Sequence, residues 1–222
     1  MTRDDLLARL VDLIATRRPG AVLRVAVDGP DAAGKTTLAA DLARVLAGVR
    51  EPVRVSIDGF HRPRAERRRR GDLSPEGYYR DSFDYQSVLD EVLTPLGADG
   101  ERWYRPQVFD HRRDAPVDAP ARVAPAGGVL LFEGVFLLRP ELRGHWDLAV
   151  YLDIAPEESV RRALLRDAGL FGGPAATRER YQARYLPGQE LYRAEADPRG
   201  HADVVIDNTD PERPDILRWP AG

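Results

Sequence analysis

Over residues 4–17 the apolar positions Leu6, Leu7, Leu10, Leu13 and Ile14 recur at helical spacing, and Pro19-Gly20 stops the pattern. Residues 22–28 are then nearly continuous and β-branched, as a buried parallel strand is. Leu38, Leu42 and Leu46 share one face of a helix predicted over 36–46, and a second strand is predicted at 53–57, ending at Asp58-Gly59. Residues 61–84 are polar and arginine-rich with no clear period, after which 85–93 reads as a helix, 102–109 as an edge hairpin and 115–127 as a Pro/Ala-rich loop. The most apolar run, Val129-Leu130-Leu131-Phe132, predicts a central strand ending at Glu133-Gly134. A strand at 146–154, a helix at 156–167 opened by proline, a long helix at 177–195 interrupted at Pro187-Gly188 and a last strand at 202–206 complete the chain. There is no internal repeat. Strands alternating with helices predict an α/β fold of three layers, with a parallel sheet covered on both faces, as one domain over 1–222.

Composition narrows the classes. The 222 residues carry a formal charge of −3 and no cysteine, which argues against a polyanion-coating protein and excludes disulfides and thiolate chemistry. No apolar run approaches bilayer length, and the start of the chain leads into an amphipathic segment rather than a signal peptide. A soluble, cytoplasmic protein with no membrane partner is expected. The 33 basic residues include a single lysine, Lys35. Base composition accounts for the arginine bias, but a position that kept lysine points to a need for a compact ammonium on a flexible stem.

Lys35 falls in Gly29-Pro30-Asp31-Ala32-Ala33-Gly34-Lys35-Thr36, which fits the spacing G-x-x-x-x-G-K-S/T between a predicted strand and a predicted helix. Such a loop wraps a phosphate with backbone N–H groups and the helix N-terminus, its lysine reaches the β/γ oxygens, and Thr36 offers a hydroxyl to Mg²⁺. Gly29 to Thr36, with Thr37, are therefore candidate nucleotide-binding positions. The guanine-reading motif of GTPases needs a second lysine, so ATP, or a loosely selected nucleoside triphosphate, is the expected donor. In an open parallel sheet the ligand lies beyond the carboxyl ends of the strands. There Asp58 is the candidate base, with Mg²⁺ contact open to it, and Glu133 the candidate metal or metal-water ligand, each against the alternative of a turn cap. Asp28 reads equally as cap, loop anchor or functional group.

Ser56-Ile57-Asp58-Gly59-Phe60-His61-Arg62 resembles the D-x-F-Y/H motif of the uridine kinase, phosphoribulokinase and bacterial pantothenate kinase group of P-loop kinases. Gly77 to Asp84 is similar to that group's substrate loop ending in Phe-Asp, Phe132-Glu133-Gly134 to its E-G segment, the stretch from Arg162 to Asp167 to its lid-helix arginines, and Ala202 to Ile206 to its final strand. The match covers roughly residues 20–210 in one order. The resemblance implies the P-loop nucleoside triphosphate hydrolase fold with a small lid, an acceptor-binding region at 58–112 and the lid at 166–180. It implies ATP-dependent, Mg²⁺-requiring phosphorylation of a hydroxyl on a small metabolite, with a nucleoside such as uridine or cytidine first and pantothenate, a sugar or a vitamin-like alcohol as alternatives. By the same resemblance Asp58 activates the hydroxyl, Asp84 binds substrate hydroxyls, and Phe60, His61, Phe83 and Phe109 shape the acceptor pocket. Arg166 and Arg162 would contact transferring phosphates, and Asn208 would lie near the adenine. His111 is open between nucleobase contact and an exposed loop residue. Arg180-Tyr181 stands where uridine kinases carry Gln-Tyr, and Gly169-Leu170-Phe171-Gly172-Gly173 replaces their R-G-R lid segment.

Arg62, Arg64, Arg67, Arg68, Arg69 and Arg70 crowd one short segment. The run reads as a solvated loop, as attraction for an anionic substrate or, in a nucleotide-dependent regulator, as a surface for nucleic acid or protein. No aromatic platform for single strands interleaves it, so nucleic acid is not the expected partner. Glycines 169, 172 and 173, flanked by arginines, suit a closing hinge. A homo-oligomer is compatible with the sequence.

Overall fold

The computed structural model describes residues 1–166, 169 and 171–220. Ten strands are present among them: β1 (Leu23–Asp28), β2 (Pro52–Ser56), β3 (Trp103–Tyr104), β4 (Phe109–Asp110), β5 (Ala115–Pro116), β6 (Arg122–Val123), β7 (Val129–Glu133), β8 (Leu148–Asp153), β9 (Val204–Asp207) and β10 (Asp215–Arg218). Six of them form one sheet in the order β10-β9-β8-β1-β7-β2, parallel throughout except for β10 against β9. The inner strands β1, β7 and β8 are buried on both faces, which is why their sequences run apolar without alternation.

Two helices cover one face, α1 (Arg3–Thr16) and α2 (Lys35–Leu46). Thr2 and Asp5 close a reciprocal capping box at the start of α1, and Leu6, Leu10 and Ile14 pack with Leu38 and Leu42 of α2 on Val25, Leu131 and Val150. The next helices in order are α3 (Arg64–Arg67), α4 (Pro75–Asp81), α5 (Tyr85–Val88), α6 (Pro140–Arg143), α7 (Pro156–Arg166), α8 (Pro174–Arg180), α9 (Leu186–Ala196) and α10 (Pro198–His201). Tyr79 of α4, Val88 of α5 and Tyr192 of α9 meet Ala26, Val55, Phe132 and Tyr151 on the other face. The three-layer expectation is met. Among the described residues no helix is long and apolar enough to cross a membrane.

The register carries the site. Glu133 ends β7 beside Val27 of β1 and Ser56 of β2, so Asp28, Asp58 and Glu133 emerge along one edge of the sheet.

Several expected elements differ. The polar stretch 61–84 contains α4, opened by Ser74, whose hydroxyl accepts from the Gly77 N–H at 3.0 Å, with Pro75 in the first turn. Segment 102–109 is no hairpin, because β3 pairs with β6 and β4 with β5 across the supposed loop. The 177–195 helix is not broken at Pro187-Gly188. A five-residue π turn, Tyr181–Tyr185, lets the Leu186 N–H reach back to Tyr181, and this wider turn accommodates a proline that has no N–H to give. The strand at 202–206 is not the last, since β10 adds an antiparallel edge. The expected helix end at Asp167 and the lid positions 168 and 170 lie outside the described residues.

Candidate active site

Loop 29–36 joins β1 to α2 in a shape that few side chains allow. Gly29 has φ +150°, and a Cβ there would come within 2.4 Å of the Leu152 carbonyl oxygen. At Gly34, φ is +95° and a Cβ would lie 2.9 Å from Asn208 Nδ2. Lys35, only 9% exposed, sends its ammonium across the loop to the Pro30 carbonyl at 2.7 Å. Asn208 donates to the Ala33 carbonyl at 2.7 Å, while its buried Oδ1 has no partner among the described residues.

Below the loop lies Asp28, fully buried. Its Oδ1 accepts from the Gly29 N–H at 2.7 Å, and its Oδ2 accepts from the Tyr192 hydroxyl and, at 3.2 Å, from the Leu138 N–H. Burial pushes its carboxyl up to about 6, against the opposing pull of Tyr192, the Gly29 amide and Lys35. Asp31 at the loop's tip is gripped from two sides, by the Tyr78 hydroxyl at 2.8 Å and Gln189 Nε2 at 3.3 Å.

Two cavities meet at this loop. One of about 560 Å³ is lined by Gly34, Thr37, Arg162 and Asn208, and another of about 850 Å³ by Asp58, His61, Phe83, His111 and Glu133. They share Ala32, Lys35, Thr36 and Arg166. Thr36 Oγ1 donates to Glu133 Oε2 at 3.2 Å. A hydroxyl beside a carboxylate at the mouth of a phosphate loop is a hard-oxygen set suited to Mg²⁺, which takes few protein ligands and completes its shell with phosphate and water. The tight loop, the unpartnered Asn208 oxygen and this pair fit a bound nucleotide with its magnesium.

The wall opposite is aromatic. A 3₁₀ turn, Ile57–Phe60, follows β2 and leaves the Asp58 carboxylate 64% exposed in the larger cleft. His61 Nδ1 lies 3.0 Å from the Asp58 carbonyl oxygen, which can only accept, so this nitrogen carries the proton. Burial lowers the imidazole to about 4, opposed by the Asp58 carboxylate. The ring of His61 lies between Phe83 at 4.5 Å and His111 at 4.6 Å.

No family model matches the chain. It is 28% identical over 184 residues to a pantothenate kinase of Clavibacter michiganensis subsp. michiganensis, covering 77% of this chain and 56% of that relative's length. A possible uridine kinase from Bacillus stearothermophilus superposes with a TM-score of 0.70 at 22% identity, over 91% of this chain and 97% of that one. A protein assigned, as putative, to a fructose transport system kinase in Silicibacter sp. TM1040 gives 0.71 at 27% identity, over 88% and 96%. The chain has a P-loop kinase fold.

In this P-loop kinase fold the candidate residues from the sequence do not all face the cleft. Phe60 is fully buried against Phe132, so it supports the wall from behind. Asp84 and Phe109 line a side pocket of about 270 Å³ that shares only His61 with the cleft. Asp84 also caps α5, accepting from the Ser87 N–H at 3.2 Å and hydroxyl at 2.7 Å. Arg162 lines the smaller of the two cavities, where it ties the Ala32 carbonyl to those of Asn208 and Thr209. Arg166 lines both cavities.

The arginine run of 62–70 is divided. Arg69 and Arg70 both clamp Asp81, at 2.7 and 2.8 Å, whereas Arg64, Arg67 and Arg68 line the cleft. Sequence reasoning assigned no role to Tyr78, Tyr192 or Arg184. Tyr78 lay in the quoted Gly77-to-Asp84 segment, but its partner Asp31 is far away in the chain, so no local spacing signals the pair.

Proposed function

We propose that the chain is an ATP-dependent kinase that phosphorylates a hydroxyl of a small metabolite. The observation that carries this reading is the junction of a nucleotide-sized and an acceptor-sized cavity at Lys35, Thr36 and Arg166, with an exposed carboxylate, Asp58, on the acceptor side. In this reading residues 1–222 form one kinase unit, 58–112 serve the acceptor and 166–180 act as the lid.

The acceptor hydroxyl oxygen bonds to the γ-phosphorus as the bond to the β–γ bridging oxygen breaks, and the hydroxyl proton passes to Asp58. Lys35 and Arg166 stabilise charge on the transferring group, and Asn208 borders the nucleotide. Thr36 and Glu133 would hold Mg²⁺, which supplies charge neutralisation at the phosphate oxygens.

Two acceptor classes have support. The aromatic slab of Phe83, His61 and His111 favours a flat base, hence a nucleoside such as uridine or cytidine. The arginines on the same cleft favour another small alcohol bearing charge, the class to which pantothenate in the curated relative belongs. Acceptor-dependent ADP formation from ATP and Mg²⁺, screened over nucleosides, pantothenate, sugars and vitamin-like alcohols, tests the reading. ATP binding without transfer to any acceptor would replace it with a nucleotide-dependent regulator.

A further inference from the structure

Charge on the larger cleft is unbalanced. Its lining carries eight basic side chains against four acidic ones, and only Lys35 and Arg166 of the eight also face the nucleotide cavity. Two of the remaining six are desolvated. Arg184, on the π turn, is 7% exposed and lies with its guanidinium 5.5 Å from the Tyr78 ring. Its Nη1 donates to the Asp72 and Ser74 carbonyls, both at 3.1 Å, and among the described residues it has no carboxylate partner. Arg67 is 16% exposed at its side chain, donates Nε to the Arg62 carbonyl at 2.7 Å and has its nearest carboxylate, Asp114, at 3.5 Å. Burial lowers both guanidiniums, and Arg67 and Arg180 further depress Arg184. A buried cation held against carbonyls and a second cation is costly until a counter-charge arrives.

Resting on the kinase reading above, we infer that the acceptor is anionic, and that Arg67 and Arg184 hold its carboxylate or phosphate in the cleft that carries Asp58. A planar guanidinium offers paired N–H donors that match either group, and neither arginine lines the nucleotide cavity, so the triphosphate does not account for them. The run of 62–70 thereby has a division of labour: Arg69 and Arg70 fix the segment on Asp81, and Arg67 meets the ligand. A neutral nucleoside would leave Arg184 without a counter-charge and Arg67 with only Asp114 at 3.5 Å.

NMR of the arginine Nε–Hε groups, with the nucleotide site filled by ADP and Mg²⁺, reads this pocket without turnover. Inorganic phosphate and acetate are the probes, one for each anion class. Movement of the Arg67 and Arg184 resonances with at least one of them is expected, and the stronger probe identifies the class. If neither resonance moves with either probe, the inference is wrong. In transfer assays Arg67→Gln should raise the KM of the anionic acceptor at least about tenfold, with the KM of ATP unchanged and partial rescue by Arg67→Lys. Arg184→Gln is the second variant, checked for folding because Arg184 also holds the backbone at 72–74. Uridine phosphorylated as efficiently as any anionic acceptor, or an unchanged acceptor KM in both folded variants, would overturn the assignment. Resonance shifts at both arginines with no transfer to any acceptor would keep the anion pocket and remove the kinase reading instead.

Discussion

Around loop 29–36 the polar groups that steady the backbone are paired with protein: Asp28 with three donors, Asp31 with Tyr78 and Gln189, the Ala33 carbonyl with Asn208. On the acceptor side the segment 60–62 is fixed to 82–84 by a few bonds, Asp84 N–H to Phe60 O at 2.8 Å and Arg62 N–H to Ser82 O at 3.0 Å, and the side chains facing the cleft are left with charge to spare. Under the proposed kinase reading, the difference separates a pocket shaped in advance for a constant ligand from one whose electrostatics are completed by a particular acceptor. Preorganised donors give their full effect only where the ligand's charge is always in the same place.

The largest effect should come from Asp58→Asn, which keeps size and removes the proton acceptor. A fall in kcat of roughly 10²–10⁴ is expected, with Tm little changed because the side chain is exposed. A folded variant with most of its kcat would transfer the role to Glu133. Lys35→Ala strikes the other side: phosphoryl transfer should drop at least about a hundredfold while the fold survives, and near-normal turnover would remove the phosphate-loop assignment.

Next comes stability. Asp28→Asn leaves an NH₂ group facing the Leu138 N–H and the Tyr192 hydroxyl, at an expected cost of about 1–3 kcal/mol by denaturant unfolding. The pH dependence sharpens the contrast between the two sides. Asp28 titrates at about 6 in the folded chain against about 4 unfolded, so its contribution, on the order of 3 kcal/mol, is present below about pH 4 and lost as pH rises through 6. His61, lowered to about 4, has the opposite sign: its contribution is present above about pH 6.5 and lost as pH falls through 4. Asp28→Asn should therefore unmask a steeper loss of stability on acidification between pH 6.5 and 4 than the native chain shows. An unchanged profile would mean that Asp28 does not titrate there.

The smallest effect belongs to Asp84→Ala, which removes the cap of α5 and should cost about 1 kcal/mol. Acceptor KM should rise or kcat fall while ATP affinity holds. Lost ATP affinity with unchanged acceptor kinetics would contradict the division into two sides.

The same contrast explains what could be read from the sequence. Continuous apolar strands and the loop around Lys35 are local signals, and the sheet, its faces and the positions of Gly29 to Thr36 followed from them. Helix α4 was hidden because Tyr78 and Tyr79 give it too few apolar positions for a period. The pairings of β3 with β6 and β4 with β5 join segments whose separation no turn pattern encodes. Residues matched by motif could be named without their orientation being known, which is why Phe60 lies in the core and Asp84 both caps α5 and borders the side pocket. The fate of each arginine in 62–70 depended on where Asp81 and Asp114 came to lie, and that is a property of the tertiary structure.

The contacts that steady the phosphate loop reach far along the chain. Gln189, Tyr192 and Asn208 stand 158, 164 and 175 positions from their partners Asp31, Asp28 and Ala33. Closing loops of that length is entropically expensive and slow compared with forming the local turns of α1. During synthesis from the N-terminus, the loop emerges early and waits for its supports to be made. Its sequence is written near the start, but its final shape is delivered by residues from late in the chain, as is the far half of the sheet, β8 and β9.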